Sequence, residues 1–315
     1  MTLTQLGAFV LVARLGSVRA AADVLGVSEP AVSKAIASLR QHLGDQLIMK
    51  DAAGMTLTAG GSRLIAIASQ MVSLGAEAEA AVRAANGAPA QLRLLVNSTI
   101  SEFIATPLTE AFTRHRNSTV EASSGVATIA EMRALLADRL ADVALGPAVP
   151  VDGDRNLITE PVLRYLVVVA AAPQKRFTGP PRTWPWLVGP SGVDPYGDIG
   201  RLLRAFRVPD QRISVFPNET AAWVAAADGH GVTPAVSTLL HSHVRRGELH
   251  VVPTDVTPVQ GTWYATTLRT DRRTTTSTSF VNFLSTPSAM QLMCSPGAGV
   301  PPSRFRPPVY VTIWS

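Results

Sequence analysis

Two groups of residues in this chain have the types and spacing to do chemistry. The first is Ser28-Glu29-Pro30-Ala31-Val32-Ser33-Lys34. Ser28 caps a helix there, with Glu29 and Pro30 in its first turn, where a carboxylate and a missing N–H are both tolerated. Val32, Ala35, Ile36, Leu39 and Leu43 recur on one face; Pro30, Ser33, Ala37 and Arg40 lie on the other, beside Glu29 and Lys34. A face of small, hydrogen-bonding residues can approach base edges in a major groove, where bulk would obstruct docking. The second group follows strand-like stretches: Ser98 and Thr99 in "NSTIS", Thr128, Ser191 in "GPSGVDPYG", and Asn218 and Thr220 in "NET". Hydroxyls and free N–H groups at the start of a helix suit an anion. The same residues also serve as plain N-caps.

Other chemistries find little support. Ser191 lacks the second glycine of a nucleophile elbow. Gly229 and Gly231 lack the third glycine of a dinucleotide fingerprint, and there is no phosphate-binding loop. His241, His243 and His250 have no acidic or thiolate companion at useful spacing, so no metal is expected. No cofactor and no catalysis are expected either.

The elements that position these groups begin with a helix marked by Leu6, Phe9, Val10 and Ala13 and ending at Gly16. Ser17 caps a second helix, "VRAAADVL", and Gly26 supplies the turn before the third. Two helices joined this tightly, the second with a polar outer face, form a helix-turn-helix. Thr58 caps a long helix ending near Asn86-Gly87. In it Leu64, Ile67, Met71, Leu74, Ala78, Ala81 and Ala85 step by threes and fours, a heptad seam that calls for a partner chain. From Leu92 strands and helices alternate, which predicts a parallel α/β sheet. The second set of elements begins at "RYLVVVAAA" and returns through "GTWYATTL", giving two lobes with crossings at 161–164 and 264–267. In such sheets ligands sit beyond the carboxyl ends of the strands.

Composition sets the frame. The 315 residues carry a net charge of +5, which fits an anionic partner without identifying one. No apolar run is long enough to span a bilayer, so no membrane partner is expected, and no signal peptide is read. A single cysteine, Cys294, fits a reducing cytoplasm.

Leu6, Phe9, Gly16-Ser17, Ala21-Ala22, Leu25, Ser28, Pro30-Ala31-Val32-Ser33, Ile36, Leu39, Leu43-Gly44, Leu47 and Leu57-Thr58-Ala59-Gly60 together resemble the DNA-binding domain of LysR-type transcriptional regulators. The rest of the chain, to about residue 285, is similar to the same family's effector-binding domain, which has a periplasmic-binding-protein-like fold. Three departures stand out. Glu29 replaces the family's usual glutamine, Arg40 its usual glutamate, and the wing "LIMKDAAGMTLT" offers only Lys50. From Met1 to Gly60 five basic residues (Arg14, Arg19, Lys34, Arg40, Lys50) face four acidic ones (Asp23, Glu29, Asp45, Asp51). Phosphate attraction per monomer is therefore weak, and binding leans on oligomerisation. The turn Gly229-His230-Gly231-Val232-Thr233-Pro234 partly matches a family pattern that would let His230 face the cleft.

The resemblance implies a winged helix-turn-helix over 1–60, a dimerisation helix over 61–90, and an effector domain over 91–285 with lobe I at 91–161 and 267–285 and lobe II at 162–266. A Pro-rich tail, in which "VYVTIWS" is strand-like, covers 286–315. It implies a cytoplasmic, nucleoid-associated homodimer or homotetramer on double-stranded promoter DNA, touched by Arg19, Ser28, Glu29, Pro30, Ser33, Lys34, Arg40 and Lys50. A small-molecule effector, expected to be anionic, would meet Ser98, Thr99, Thr128, Ser191, Asn218 and Thr220. Two other readings stay open: a DNA-binding assembly protein with no effector, and a solute-binding or enzymatic α/β protein with a vestigial helix-turn-helix.

Overall fold

Left-handed glycines set the spacing of the first three helices. Helix α1 (Leu3–Leu15) stops at Gly16 (φ 64°), α2 (Val18–Leu25) at the Gly26 turn (φ 64°), and α3 (Glu29–Leu43) at Gly44 (φ 65°). The structure, a computed structural model, describes residues 1–51, 54–150, 156–295 and 309–310. Ser17 caps α2 through the Ala20 N–H at 3.2 Å. Ser28 takes the N-cap backbone position of α3, but its side chain makes no capping bond, contrary to expectation. Val32, Ile36 and Leu39 turn inward onto Leu6 and Phe9, and the opposite face of α3 stays exposed.

The wing pairs β1 (Ile48–Asp51) with β2 (Gly54–Leu57), antiparallel. Then α4 (Ala59–Ala85) runs for 27 residues, its first turn held by Thr58, whose hydroxyl accepts the Gly61 N–H at 2.9 Å. A Cβ on Gly61 would collide with the backbone carbonyl of Leu47, which cannot swing aside. Gly61→Ala is therefore expected to cost about 2–3 kcal/mol, read as a lower melting midpoint in thermal or urea unfolding; an unchanged midpoint would contradict this packing. Along α4, Ile65 and Ala68 are buried against the first domain, while Ile67, Met71, Leu74 and Val82 face outward.

The remaining chain builds the α/β domain. The first lobe contains β3 (Ala90–Val96), α5 (Ser98–Ile100), a π-type turn (Ser101–Ala105), α6 (Thr106–His115), β4 (Val120–Val126), α7 (Ile129–Ala137) and β5 (Val143–Gly146). The strand β6 (Leu157–Ala171) leads into the second lobe: β7 (Trp186–Val188), α8 (Asp198–Ala205), β8 (Ile213–Val215), α9 (Glu219–Ala227), β9 (Thr233–Val236), α10 (Ser237–Arg245) and β10 (His250–Val252). The strand β11 (Val259–Leu268) returns to α11 (Thr275–Leu284) and α12 (Pro287–Cys294). The principal sheet runs β10-β6-β11-β5-β3-β4-β12, where β12 is Val309–Tyr310, and β9 also pairs with β6. Strands β3, β4 and β5 are parallel, as the alternation of strand and helix predicts. The long antiparallel pair β6 and β11 ties the lobes together, and its register shifts between Trp263 and Tyr264, opposite Leu163 and Pro161.

Helix α12 corrects the view of 286–315 as a Pro-rich tail. Pro287 sits in the first turn, where no N–H is needed, and Thr286 caps the helix through Ala289 N–H. In the strand-like end of the tail, β12 adds parallel to β4; 296–308 and 311–315 lie outside the described residues.

A shared apolar cluster joins the first domain to the first lobe, with Leu6, Phe9 and Leu39 in the same core as Ile129, Met132 and Leu136. At its edge Arg14 of α1 holds Asp138, the C-cap of α7, by two hydrogen bonds of 2.7 and 3.2 Å.

Candidate functional site

The outer face of α3 is built as the sequence indicates. Ser28, Glu29, Pro30, Ser33 and Lys34 are exposed there, and Arg19 is exposed on α2. Arg40 departs from its expected role. Its guanidinium donates to the carbonyls of Gln46 and Ile48, each at 2.6 Å, so it braces the root of the wing rather than reaching outward. The reason is local: Leu47 takes φ 60°, which turns the flanking carbonyls toward α3. Asp45 completes the brace by accepting from Leu47 N–H at 2.6 Å and from the Thr58 hydroxyl at 2.7 Å. These bonds hold its carboxyl below the usual range, the Thr58 hydroxyl first and the Leu47 amide second. Lys50 sits in β1 opposite Met55; its side chain lies outside the described residues.

Between the lobes, Ser98, Thr99 and Ser191 do converge, and on an anion: the chain's own Glu219. Its Oε1 accepts from Ser98 at 3.4 Å, from Thr99 at 3.3 Å, and from Ser191. Glu102 reaches the other way and accepts from the Glu219 and Thr220 N–H groups at 2.8 and 3.0 Å, at the start of α9. Asp194 of the second lobe accepts the Ile129 N–H at 2.9 Å, at the start of α7. So the positions that local reasoning gives to an external anion are filled by carboxylates from across the cleft. The other expected contacts are caps. Thr128 forms a capping box with Glu131, and Asn218 caps α9 through Ala221 N–H; the Thr220 side chain is exposed. His230 is exposed and does not line the cleft. His243 has the acidic partner that spacing missed, since it pairs with Glu248 at 2.7 Å. Among the described residues no group of three or more ligating side chains could hold a metal ion.

What remains of the cleft is a cavity of about 30 Å³, bordered by Asn97, Tyr165, Asp194, Asp198 and Trp263 among others. Tyr165 donates to Asp198 and packs on Trp263 with ring centroids 4.9 Å apart. Burial pushes the Glu219 carboxyl up, against the Ser191 hydroxyl, and neighbouring Glu102 adds to the rise. Burial likewise raises Glu131 from 4.5 to about 7, opposed by its bonds to Thr128 and aided by Asp194. Its Oε1 has no partner. Between those two values the folded protein holds a proton that the unfolded chain has released. Stability should then fall as pH rises from 4.5 to 7, by at most about 1.4 kcal/mol per unit. Glu131→Gln keeps the capping box and should flatten that slope in a pH series of melting curves; an unaltered slope would assign it to another group.

The model of the "Bacterial regulatory helix-turn-helix protein, lysR family" matches residues 3–62, and the "LysR substrate binding domain" matches residues 85–287. The chain belongs to the lysR family. It is therefore a LysR-type DNA-binding transcriptional regulator with a substrate-binding effector domain. The HTH-type transcriptional regulator Rv0377 of Mycobacterium tuberculosis (strain ATCC 25618 / H37Rv) is 34% identical over the full length of both chains. The regulator TdcA of Escherichia coli (strain K12) is 27% identical over 53% of this chain and 54% of its own. The same architecture occurs in a full-length variant of AphB (TM-score 0.58, 19% identity, covering 90% of this chain and 98% of that one). It occurs also in CbnR, a LysR family regulator (TM-score 0.55, 21% identity, 90% and 98% covered). Among the described residues no helix is long and apolar enough to cross a membrane.

Proposed function

We propose that this LysR-type regulator reads promoter DNA with the exposed face of α3, pairs with a second copy along α4, and couples both to a small molecule bound between the lobes. The observation that carries this reading is α7. Its first amide is held by Asp194 of the second lobe and its C-cap by Arg14 of the DNA-binding domain. A ligand that favours one lobe arrangement thereby acts on α7, against which the DNA-binding domain is packed. The ligand must bind one arrangement better than the other, or it shifts nothing. Arg19 and Lys34 supply phosphate contacts, with Lys50 on the wing; Ser28, Glu29, Pro30 and Ser33 lie against base edges. The working divisions are 1–60, 61–90 and 91–285, and the protein acts on the nucleoid in the cytoplasm. A pair of dimers forms the tetramer, an arrangement that rests on the family resemblance.

The test is binding of the purified protein to the DNA immediately upstream of its own gene, followed across a salt series. Sequence-specific binding with falling affinity at higher salt supports the reading. Binding no better than to random DNA, there and in a genome-wide pull-down, would overturn it. Within that assay Glu29→Gln has a directional outcome. A carboxylate can accept from cytosine N4, whereas an amide prefers adenine. The substitution should change the preferred base at one position of each half-site by roughly 1–3 kcal/mol, measured by competition with single-base operator variants. An equal change on all DNA would remove Glu29 from direct readout.

A further inference from the structure

We propose that Glu219 is a built-in occupant of the hydroxyl cluster between the lobes, and that the effector this cleft admits carries an amine rather than a carboxylate. The proposal rests on the sensing role given above and names the ligand class.

The niche around Glu219 is complete without any external group. Glu219 is 2% exposed, and the hydroxyls of Ser98, Thr99 and Ser191 all aim at its Oε1. A Cβ at Gly189 would collide with the carboxyl, so the backbone there lies close against it. Three donors from two lobes on one oxygen is the arrangement a bound carboxylate would be given. Here residue 219 supplies that oxygen covalently, at an effective concentration that free ligand rarely matches. An incoming carboxylate would have to evict it and leave a buried acid without partners, which is costly.

The rest of the cleft has the opposite charge preference. Its cavity is bordered by Asp194, which meets only backbone N–H groups (Ile129 and Tyr196) and keeps its charge, and by Asp198, which accepts from Tyr165 and pairs with the exposed Arg201 behind the lining; among the described residues no lysine, arginine or histidine borders it. Tyr165 and Trp263 form an aromatic wall beside them. Carboxylates next to aromatic faces attract ammonium groups by charge and by the ring quadrupole. The volume of about 30 Å³ suits a head group of that size, since one water-sized probe needs about 10–15 Å³. A longer amine requires the lobes to part, which is the movement a sensor needs.

The experiment is a melting series on the full-length protein at fixed ionic strength. Sodium acetate is compared with sodium chloride, and methylammonium and 1,4-diaminobutane chlorides with sodium chloride, for the wild type and Glu219→Ala. The wild type should be indifferent to acetate and stabilised by the amines. The variant should melt lower and be rescued by acetate, by about 3 °C at ten times its dissociation constant. Stabilisation of the wild type by acetate would overturn the occupancy of Glu219, and that measurement does not depend on the variant folding. A folded variant that acetate does not rescue would overturn it too. If rescue holds but no amine shifts the wild type, the amine assignment falls. Sensing itself falls only if, in addition, no member of a metabolite library shifts the wild type. If rescue fails but the amines act, sensing stands without a built-in occupant.

Discussion

Aspartate placed together at Ile67 and Leu74 is expected to give a folded monomer that binds its promoter at least about 100-fold more weakly than the wild type. The two side chains are 57% and 63% exposed on α4, with Met71 between them. Their spacing of four and three is that of a coiled-coil seam. The opposite side of α4 is already committed, since Ile65 and Ala68 are buried against the first domain. The substitutions therefore touch nothing inside one chain, and the melting midpoint of the monomer should hardly move. They put two charges from each copy into the seam, where neither can be solvated or paired. Once the copies part, a second half-site is no longer held near the first, and the gain from linked binding disappears. Analytical ultracentrifugation reads the association, and promoter titration reads the affinity. A dimer that survives both charges would move the interface elsewhere.

Arg14→Ala is the second large effect. Asp138 is 5% exposed and accepts two hydrogen bonds from Arg14 along one edge of the guanidinium. Removing the arginine leaves a buried carboxylate unpaired, which costs about 3–5 kcal/mol for a fully buried pair. Because Arg14 is 37% exposed, water recovers part of that, and about 2 kcal/mol is expected. The double variant Arg14→Ala, Asp138→Ala should be more stable than Arg14→Ala alone, because it removes the orphaned charge as well. Denaturant unfolding of the four proteins of this cycle checks both statements. Additive losses would mean that the pair does not couple the domains.

What can be read from the sequence is local. Gly16, Gly26 and Gly44 announce three helix ends, and each takes the left-handed conformation its position requires. The outward row Ile67, Met71 and Leu74 of α4 follows from spacing, though Leu64, read as the start of the same seam, packs back onto the first domain; the hydroxyls of Ser98, Thr99 and Ser191 stand out because they follow strands and open helical turns. Their occupant is not legible. Glu219 lies about 120 residues beyond Thr99 in the chain, and a contact of that range leaves no periodic mark. Arg40 shows a different limit. Periodicity gives its Cβ the outer face correctly, but a long side chain can fold back, and only the positive φ of Leu47 sets the carbonyls that draw it in. Helix α12 is hidden because a proline reads as a breaker unless it stands in a first turn, as Pro287 does.

The bracing of the wing has a consequence for how DNA binding responds to its surroundings. Arg40, Asp45 and Thr58 fix the root of the wing before any DNA arrives. A wing whose root is already held loses less conformational entropy on docking. Rigidity thus compensates for a domain poor in positive charge, whose attraction to phosphate is small. Affinity that comes from a preorganised wing root, unlike affinity that comes from released counterions, does not fade as salt rises. Occupancy of the operator by this regulator should therefore track the ionic state of the cell less closely than that of a regulator with an arginine-rich, mobile wing.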